Sequence, residues 1–323
     1  IFLQLSSCLY VFAQQLFRGL KNNKWYGIMG ALNTVLILVL TVLFIAVLKL
    51  GVQGLLISLF ITQVITITLV LLFSNISLSL SLYSFNKKEA KRLISYSWPL
   101  LPNALSWWLI DLGNRYIILL FLNEQYNGVY AIAARYAGIV AIVNTVFILI
   151  WQDYVISSNK NTSNFSLSNS FNRFMIFEIS LIIVISTLSK TIVQFTTASA
   201  YHEAGNYLSL LFFSTGLAAF CAFLGAVYLK QKKTKGIFVT TIIGAAVNLV
   251  FSVLFIKHIE LYAVAIGSSL GFLTTLLLRL RHFRVQIEYK KLLILLVSFC
   301  VILTVQFIYY TTLISFILFI ITS

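Results

Sequence analysis

Long apolar segments recur along almost the whole chain, and they constrain its fold more than any other feature. A helix needs about 20 apolar residues to cross a membrane, and eleven segments reach or approach that length. They lie near residues 1–17, 25–48, 54–76, 97–122, 128–156, 173–195, 206–229, 237–257, 260–279, 292–309 and 311–323. Only 10% of the 323 residues are charged, against about 25% in soluble domains. The sequence therefore predicts an all-α polytopic membrane protein with about eleven spanning helices.

The net charge of +15 does not indicate a nucleic-acid surface, because the basic residues alternate from loop to loop. Alternate loops hold 18 of the 23 Lys and Arg residues, and the loops between them hold only Lys49 and Lys257. Basic loops of membrane proteins lie on the cytoplasmic side. We therefore expect the basic loops to be cytoplasmic and residue 1 to be external. The chain begins at Ile1 inside an apolar run, so we also expect it to be N-terminally truncated.

Two helical bundles are predicted, joined by a basic amphipathic segment. Residues 77–96 mix apolar and basic positions, as in a helix lying on the inner leaflet. The segments after Lys24 and Lys235 also resemble each other, with Asn33 and Asn248 in matching helices. This parallel repeat favours two lobes that rock around a central site. We therefore predict four regions: a partial N-terminal lobe 1–76, a linker 77–96, a six-helix lobe 97–279 and an extra helix pair 280–323.

The stretch from Ser95 to Leu122 holds the best candidates for function. Asn103, Trp107, Asp111 and Arg115 are each four residues apart and share one stripe of a helix. A charge inside the bilayer costs about 2.5–3.5 kcal/mol on insertion scales and is functional by default. The alternative is that Asp111 and Arg115 pair with each other and offset their own burial.

Two arginines are predicted to lie at one level on neighbouring helices. Arg115 and Arg135 flank the predicted external turn near 123–127 and would each lie about 10–12 Å deep. Lys190, near the outer end of the next helix, would join them. Guanidinium groups suit phosphate, so we predict a pyrophosphate site at Arg115, Arg135 and Lys190. The alternative is that Arg135 and Lys190 extend outward to the membrane interface.

The remaining candidates are acids and aromatic residues, and none of them forms an enzyme signature. Asp111 and Glu178 could couple transport to a proton or sodium ion, while the alternative for Glu178 is an interfacial position. The three histidines show no metal-ligand spacing, and no catalytic motif or cofactor motif is present. We therefore expect a transporter that needs no cofactor or metal, rather than an enzyme.

The same residues carry a family resemblance. The sequences SYSWPLLPNALSWWLIDLGNRYIILLFL, NGVYAIAARYAGIVAIV and IWQDYV resemble the seventh and eighth helices of polysaccharide-transporter flippases. These flippases belong to the multidrug/oligosaccharidyl-lipid/polysaccharide superfamily. The sequences AQQLFRGLKNNKWYGI and YLKQKKTKGIFVTTIIGAAVNLVFSVLFI resemble the starts of its two repeats. In this family an Asp often precedes the Arg directly, whereas here Asn114 does so and Asp111 lies one turn earlier.

The resemblance implies a two-lobed transmembrane bundle working by alternating access, with three N-terminal helices missing from this chain. The implied function is export of undecaprenyl-pyrophosphate-linked oligosaccharide units, such as O-antigen or capsule precursors, across the bacterial inner membrane. The candidate sugar contacts are Asn103, Trp107, Trp108, Tyr116 and Tyr130, and a polysaccharide polymerase is a candidate partner. The alternatives are a multidrug antiporter of the same superfamily, lipid II export, and a membrane polysaccharide polymerase.

Overall fold

The computed structural model describes residues 2–20, 22–73, 86–157 and 164–288, together with Lys290 and Val297. The backbone alone is described for 73, 102–109 and 164–166. Every regular element in these ranges is a helix, so the predicted all-α class is confirmed. By its internal contacts the chain divides into two compact units, residues 1–85 and 86–323.

The first unit consists of three helices. They are α1 (Phe2–Gly19), α2 (Asn23–Thr41, continued by a π-helical turn over Val42–Val47) and α3 (Gly51–Phe73). Phe17, Met29 and Val70 form its small core. Half-buried polar side chains, together with the buried Ser58, also join these helices: Gln63 donates to Ser7 Oγ over 2.9 Å, and the hydroxyl oxygens of Thr41 and Ser58 lie 3.0 Å apart. Hydrogen bonds of this kind stabilise helix pairs in lipid, where apolar burial contributes little.

The second unit begins with a short amphipathic helix and continues with six long ones. They are α4 (Lys87–Ser97), α5 (Leu100–Phe121), α6 (Glu124–Ser157), α7 (Asn164–Thr196), α8 (Ala204–Lys230), α9 (Thr234–Ile259) and α10 (Leu261–Phe283). Among the candidate membrane-spanning helices of the described ranges, α8 is the most enclosed: 72% of the residues in its 18-residue apolar stretch are buried. It packs against α6, α7 and α10 and therefore forms the centre of this unit.

Small residues allow α9 and α10 to approach closely. A Cβ atom added at Gly244 would lie 2.5 Å from the carbonyl oxygen of Gly271, closer than real atoms come. A Cβ atom at Gly267 would likewise lie 3.0 Å from the carbonyl oxygen of Asn248. Close approach through small residues is a common way for helices to associate in membranes, and it places the polar side chains of α9 beside α10.

Nine of the eleven predicted segments coincide with long helices, α1–α3 and α5–α10. Within the described ranges, seven helices are long and apolar enough to cross a membrane, and the chain is a multi-pass membrane protein. The predicted segments 292–309 and 311–323 lie outside the described residues, apart from Val297, so the count of eleven is not confirmed.

Two predicted boundaries differ from the structure. Helix α7 begins at Asn164 rather than near residue 173, because hydrophobicity alone does not register its polar first turns. In the predicted linker 77–96, helix α4 begins only at Lys87. The Asn86 side chain caps it by accepting a 2.9 Å hydrogen bond from the Lys88 backbone amide. Residues 74–85 lie outside the described part.

Candidate transport site

Three neighbouring cavities run along α6 and α8 inside the second unit. Cavity 1, about 240 Å³, lies between α5, α6, α8 and α10 and includes Asp111, Asn114 and Tyr130 in its wall. Cavity 2, about 320 Å³, lies between α6 and α8 and includes Asn144 and Thr145. Cavity 3, about 250 Å³, includes Gln152 and Arg279.

The three cavities form one row because neighbours share wall residues. Ala141 and Thr215 line both cavities 1 and 2, while Ile148 and Ala222 line both cavities 2 and 3. Along α6 the row extends from Tyr130 to Gln152, which corresponds to about 33 Å at the helical rise. That length matches the hydrocarbon core of a bilayer, about 30 Å. The row is therefore long enough to lead a polar group across a membrane.

A closed network of neutral polar groups surrounds Asn114 at cavity 1. The Asn114 amide donates to Ser268 Oγ over 2.9 Å and to the Tyr130 hydroxyl over 3.3 Å. Its oxygen accepts a 3.1 Å hydrogen bond from Asn248, whose own oxygen accepts one from Ser252. We call these five residues the Asn114 network. It joins α5, α6, α9 and α10 and presents hydroxyl and amide groups next to the cavity.

The predicted pair of Asp111 and Arg115 is only partly enclosed. Asp111 is exposed and lines cavity 1, whereas Arg115 is half-buried and lines none of the three cavities. No ion pair within 4 Å joins these two side chains in the described part of the chain. The Nε atom of Arg115 is buried and finds no hydrogen-bond partner among the described residues. Arg115 therefore retains an unused donor close to the cavity.

The other predicted cationic residues lie away from the row. Arg135 is exposed, since it follows Ala134 of the cavity wall by one residue and so points about 100° away. Lys190 packs against the start of α8, where a Cβ atom at Gly205 would lie 3.2 Å from its Cα atom. Tyr116 is also exposed. None of the three lines the cavities. The side chains of Asn103 and Trp107 lie outside the described residues.

Glu178 lies at the middle of the row, behind cavity 2, and is 0% exposed. Its Oε1 atom accepts a 2.8 Å hydrogen bond from the Asn144 amide. Gly216 of α8 lies beside it, since a Cβ atom there would make an ordinary 3.4 Å contact with the Glu178 Cγ and Oε1 atoms and would clash only with Ile182. Glu178 Oε2 and Asn144 Oδ1 are both buried without a partner among the described residues.

Arg279 is the last residue of the predicted segment 260–279, next to a basic loop, yet it lies inside α10 and is only 1% exposed. Its guanidinium donates to Thr240 Oγ1 over 3.0 Å, to Thr241 Oγ1 over 2.9 Å and to the Cys221 carbonyl. It links α8, α9 and α10 at one end of cavity 3.

The residues that sequence reasoning missed had a detectable signal on α6. Ala134, Ala137, Ala141 and Asn144 follow Tyr130, itself a predicted sugar contact, at spacings of three and four, which places small and polar side chains on one helical stripe. This stripe is the wall of cavities 1 and 2. Among the described residues, no group of His, Cys, Asp or Glu side chains could hold a metal ion.

A protein family and several solved structures resemble this chain. A family model described as "Polysaccharide biosynthesis protein" matches residues 3–148. No curated protein sequence matches the chain significantly. The family match, together with the fold, supports the predicted family of polysaccharide transporters and flippases.

Several solved structures share the fold at low sequence identity. The MATE transporter VcmN of Vibrio cholerae is 15% identical, with a TM-score of 0.74, and the match covers 87% of this chain and 67% of that one. The lipid II flippase MurJ in its inward closed conformation is 16% identical, with a TM-score of 0.66, covering 94% and 65%.

A transporter of the MOP superfamily from Pyrococcus furiosus, described as having a binding pocket of reverse polarity, is 15% identical, with a TM-score of 0.70, covering 84% and 65%. The chain spans about two thirds of the length of these proteins. The chain therefore shares the helical fold of these proteins.

Proposed function

We propose that this chain forms the greater part of a flippase that moves undecaprenyl-pyrophosphate-linked oligosaccharides across the bacterial inner membrane. The match to a polysaccharide biosynthesis family over residues 3–148 supports the substrate class. The fold shared with a lipid II flippase supports the type of movement. The observation that carries the proposal most directly is the row of cavities, which is as long as the hydrocarbon core.

The lining of the row suits an uncharged sugar. Asn114, Tyr130 and Thr215 place amide and hydroxyl groups in cavity 1 beside apolar walls. Sugars present hydroxyls that donate and accept hydrogen bonds, and they also present apolar faces, so such a surface can hold them without charge. We propose that the sugar head group moves along the row while the polyprenyl tail remains in lipid. Asn103, Trp107 and Tyr116, which lie on the same helix as Asn114, remain proposed sugar contacts.

The pyrophosphate requires cations, and Arg115 is the strongest of the proposed contacts. Its buried Nε donor has no partner among the described residues, and its neighbour Asn114 lines cavity 1. Arginine binds phosphate oxygens through paired hydrogen bonds. Arg135 and Lys190 are proposed as further phosphate contacts, from outside the row. In this proposal the basic loops are cytoplasmic and residue 1 is external.

A multidrug antiporter is the second candidate, because the MATE transporters have the same fold. One observation favours it: the exposed carboxylate of Asp111 lies in the wall of cavity 1 and could attract a cationic drug. A polysaccharide polymerase is the least favoured alternative. The described connections α5–α6 and α9–α10 are too short to hold a catalytic domain.

The full-length gene, expressed in a flippase-null host, separates these functions. Wild type should restore surface polysaccharide, and Arg115→Glu and Arg135→Glu should leave lipid-linked units on the inner leaflet. Lys257→Glu is the matched control, since it is an equal charge change at an exposed site away from the cavities. Drug resistance without restored polysaccharide would favour the antiporter. Full restoration by both Arg variants would show that the proposed phosphate site is wrong.

A further inference from the structure

The contact between Glu178 and Asn144 is incomplete in a specific way. One hydrogen bond, 2.8 Å from the Asn144 amide to Glu178 Oε1, comes from the amide nitrogen, which is the only donor atom of the two side chains while Glu178 is ionised. The remaining Glu178 Oε2 and Asn144 Oδ1 atoms are both acceptors, and both are buried with no donor among the described residues. Buried acceptors left without a donor are costly, so something must satisfy them.

A single proton satisfies both. If Glu178 is protonated on Oε2, that hydroxyl can donate to Asn144 Oδ1 while the Asn144 amide donates to Oε1. The two side chains then form a reciprocal acid–amide pair in which no acceptor is left over. Deprotonation would instead place a carboxylate beside the amide oxygen in a region of low dielectric, where an isolated charge is strongly unfavourable.

No charged side chain compensates Glu178 from the helices packed around it. On α6, Arg135 and Asp153 are each nine residues from Asn144, about 14 Å along the axis. On α7, Arg173 is exposed and lies five residues before Glu178, about 8 Å along the axis, and Lys190 lies farther away.

On α8, Cys221 is the nearest titratable group to Gly216, and its thiol donates over 3.3 Å to the Phe272 carbonyl. Lys230 lies fourteen residues beyond Gly216, about 21 Å along the axis. The cation that would keep Glu178 ionised is thus absent from the described surroundings.

We propose that Glu178 and Asn144 form a proton-binding site behind cavity 2, and that this proton is the ion coupled to transport. Asn144 lines the cavity and Glu178 lies behind it, so a proton from water in the row reaches Oε2 past the Asn144 side chain. Loss of the proton removes the Oε2–Oδ1 link and so weakens the attachment of α6 to α7. Asp111, an exposed residue in the wall of cavity 1, remains a second proposed coupling acid. The coupling role, unlike the proton site, rests on the proposed transport function.

Infrared spectroscopy of the purified full-length protein in lipid nanodiscs tests the proton site without any transport. At pH 7 the wild type should show a carboxylic-acid C=O band that is absent in Glu178→Gln. Asn144→Leu should move that band to higher frequency, since its hydrogen bond is lost. Glu124→Gln, which changes an exposed Glu at the start of α6, is the matched control and should keep the band unchanged.

Two results would overturn the proton site. A spectrum at pH 7 with no band depending on Glu178 would mean that the side chain is ionised. A band that disappears on adding sodium chloride would mean that the two oxygens bind a metal cation instead. If Glu178→Gln retains the wild-type melting temperature, a folding defect does not explain its missing band.

The coupling role is tested by flipping of a fluorescent undecaprenyl-pyrophosphate oligosaccharide in proteoliposomes. In wild type, each unit of pH gradient should change accumulation by about tenfold for one coupled proton, and Glu178→Gln should flip at a rate that no gradient changes. Equal gradient dependence in both proteins would refute the coupling role. Absence of flipping in wild type would refute the proposed transport function, while the infrared result would still decide the proton site.

Discussion

The Asn114 network and the Glu178–Asn144 pair are both buried polar groups that attach α6 to other helices of the second unit, but only the first is complete. In the network the Asn114 amide and its oxygen all find partners on α6, α9 and α10. In the pair one hydrogen bond is made and two oxygens remain without donors among the described residues. A satisfied network stabilises one arrangement of helices. An incomplete pair makes the arrangement depend on a proton.

The largest loss of stability that tests this comparison is expected for a substitution of Asn248. Asn248→Leu removes the donor to Asn114 Oδ1, and leaving a buried acceptor unsatisfied costs about 1–3 kcal/mol. Thermal unfolding of the purified protein in detergent should show this loss. Val250→Leu, at an exposed position of the same helix, is the control and should unfold like wild type. Equal melting temperatures for the two variants would show that the network does not stabilise the fold.

A pH dependence of stability is expected at the second site. If the folded state binds a proton at Glu178 that the unfolded state releases, stability is present at low pH and is lost as pH rises. From pH 6 to pH 7 the wild type should lose up to about 1.4 kcal/mol of stability relative to Glu178→Gln. Unfolding across this pH range measures the difference, and Glu124→Gln should follow the wild type. Parallel curves for wild type and Glu178→Gln would contradict the proposed proton.

A smaller effect sharpens the comparison within the network. Ser252→Ala removes only the 3.2 Å hydrogen bond to Asn248 Oδ1, and such bonds between membrane-helix side chains average about 0.6 kcal/mol. Ser269→Ala is the matched control, because its hydroxyl bonds only to the Ala265 carbonyl of its own helix. Unfolding measurements should place Ser252→Ala below Ser269→Ala. The reverse order would mean that the network is held mainly by packing.

The sequence predicted the helices well because hydrophobic length is a local property. It predicted the depth of Arg135 but not the direction in which it points, and a step of one residue from Ala134 of the cavity wall leaves it exposed. Glu178 was recognised as a candidate acid, yet its partner Asn144 is 34 residues away on another helix. Pairings of this kind depend on how helices pack, which one sequence does not reveal.

Arg279 shows the same limit of prediction from the sequence. Its charge, at the end of a predicted helix, favoured a place in a basic loop, but α10 continues to Phe283. Thr240 and Thr241 of α9, together with the Cys221 carbonyl of α8, enclose the guanidinium. These partners could not be predicted from the segment that contains Arg279. They become visible only when the three helices are packed together.

The row of cavities is the central claim, and blocking it is the most direct test. Ala141 lines both cavity 1 and cavity 2, whereas its neighbour Ile142 is 67% exposed. Flipping of lipid-linked oligosaccharide by the full-length protein should fall about tenfold or more in Ala141→Trp, equal to about 1.4 kcal/mol in the barrier, and should stay near wild type in Ile142→Trp. If Ala141→Trp folds and flips as fast as Ile142→Trp, the head group does not pass along this row.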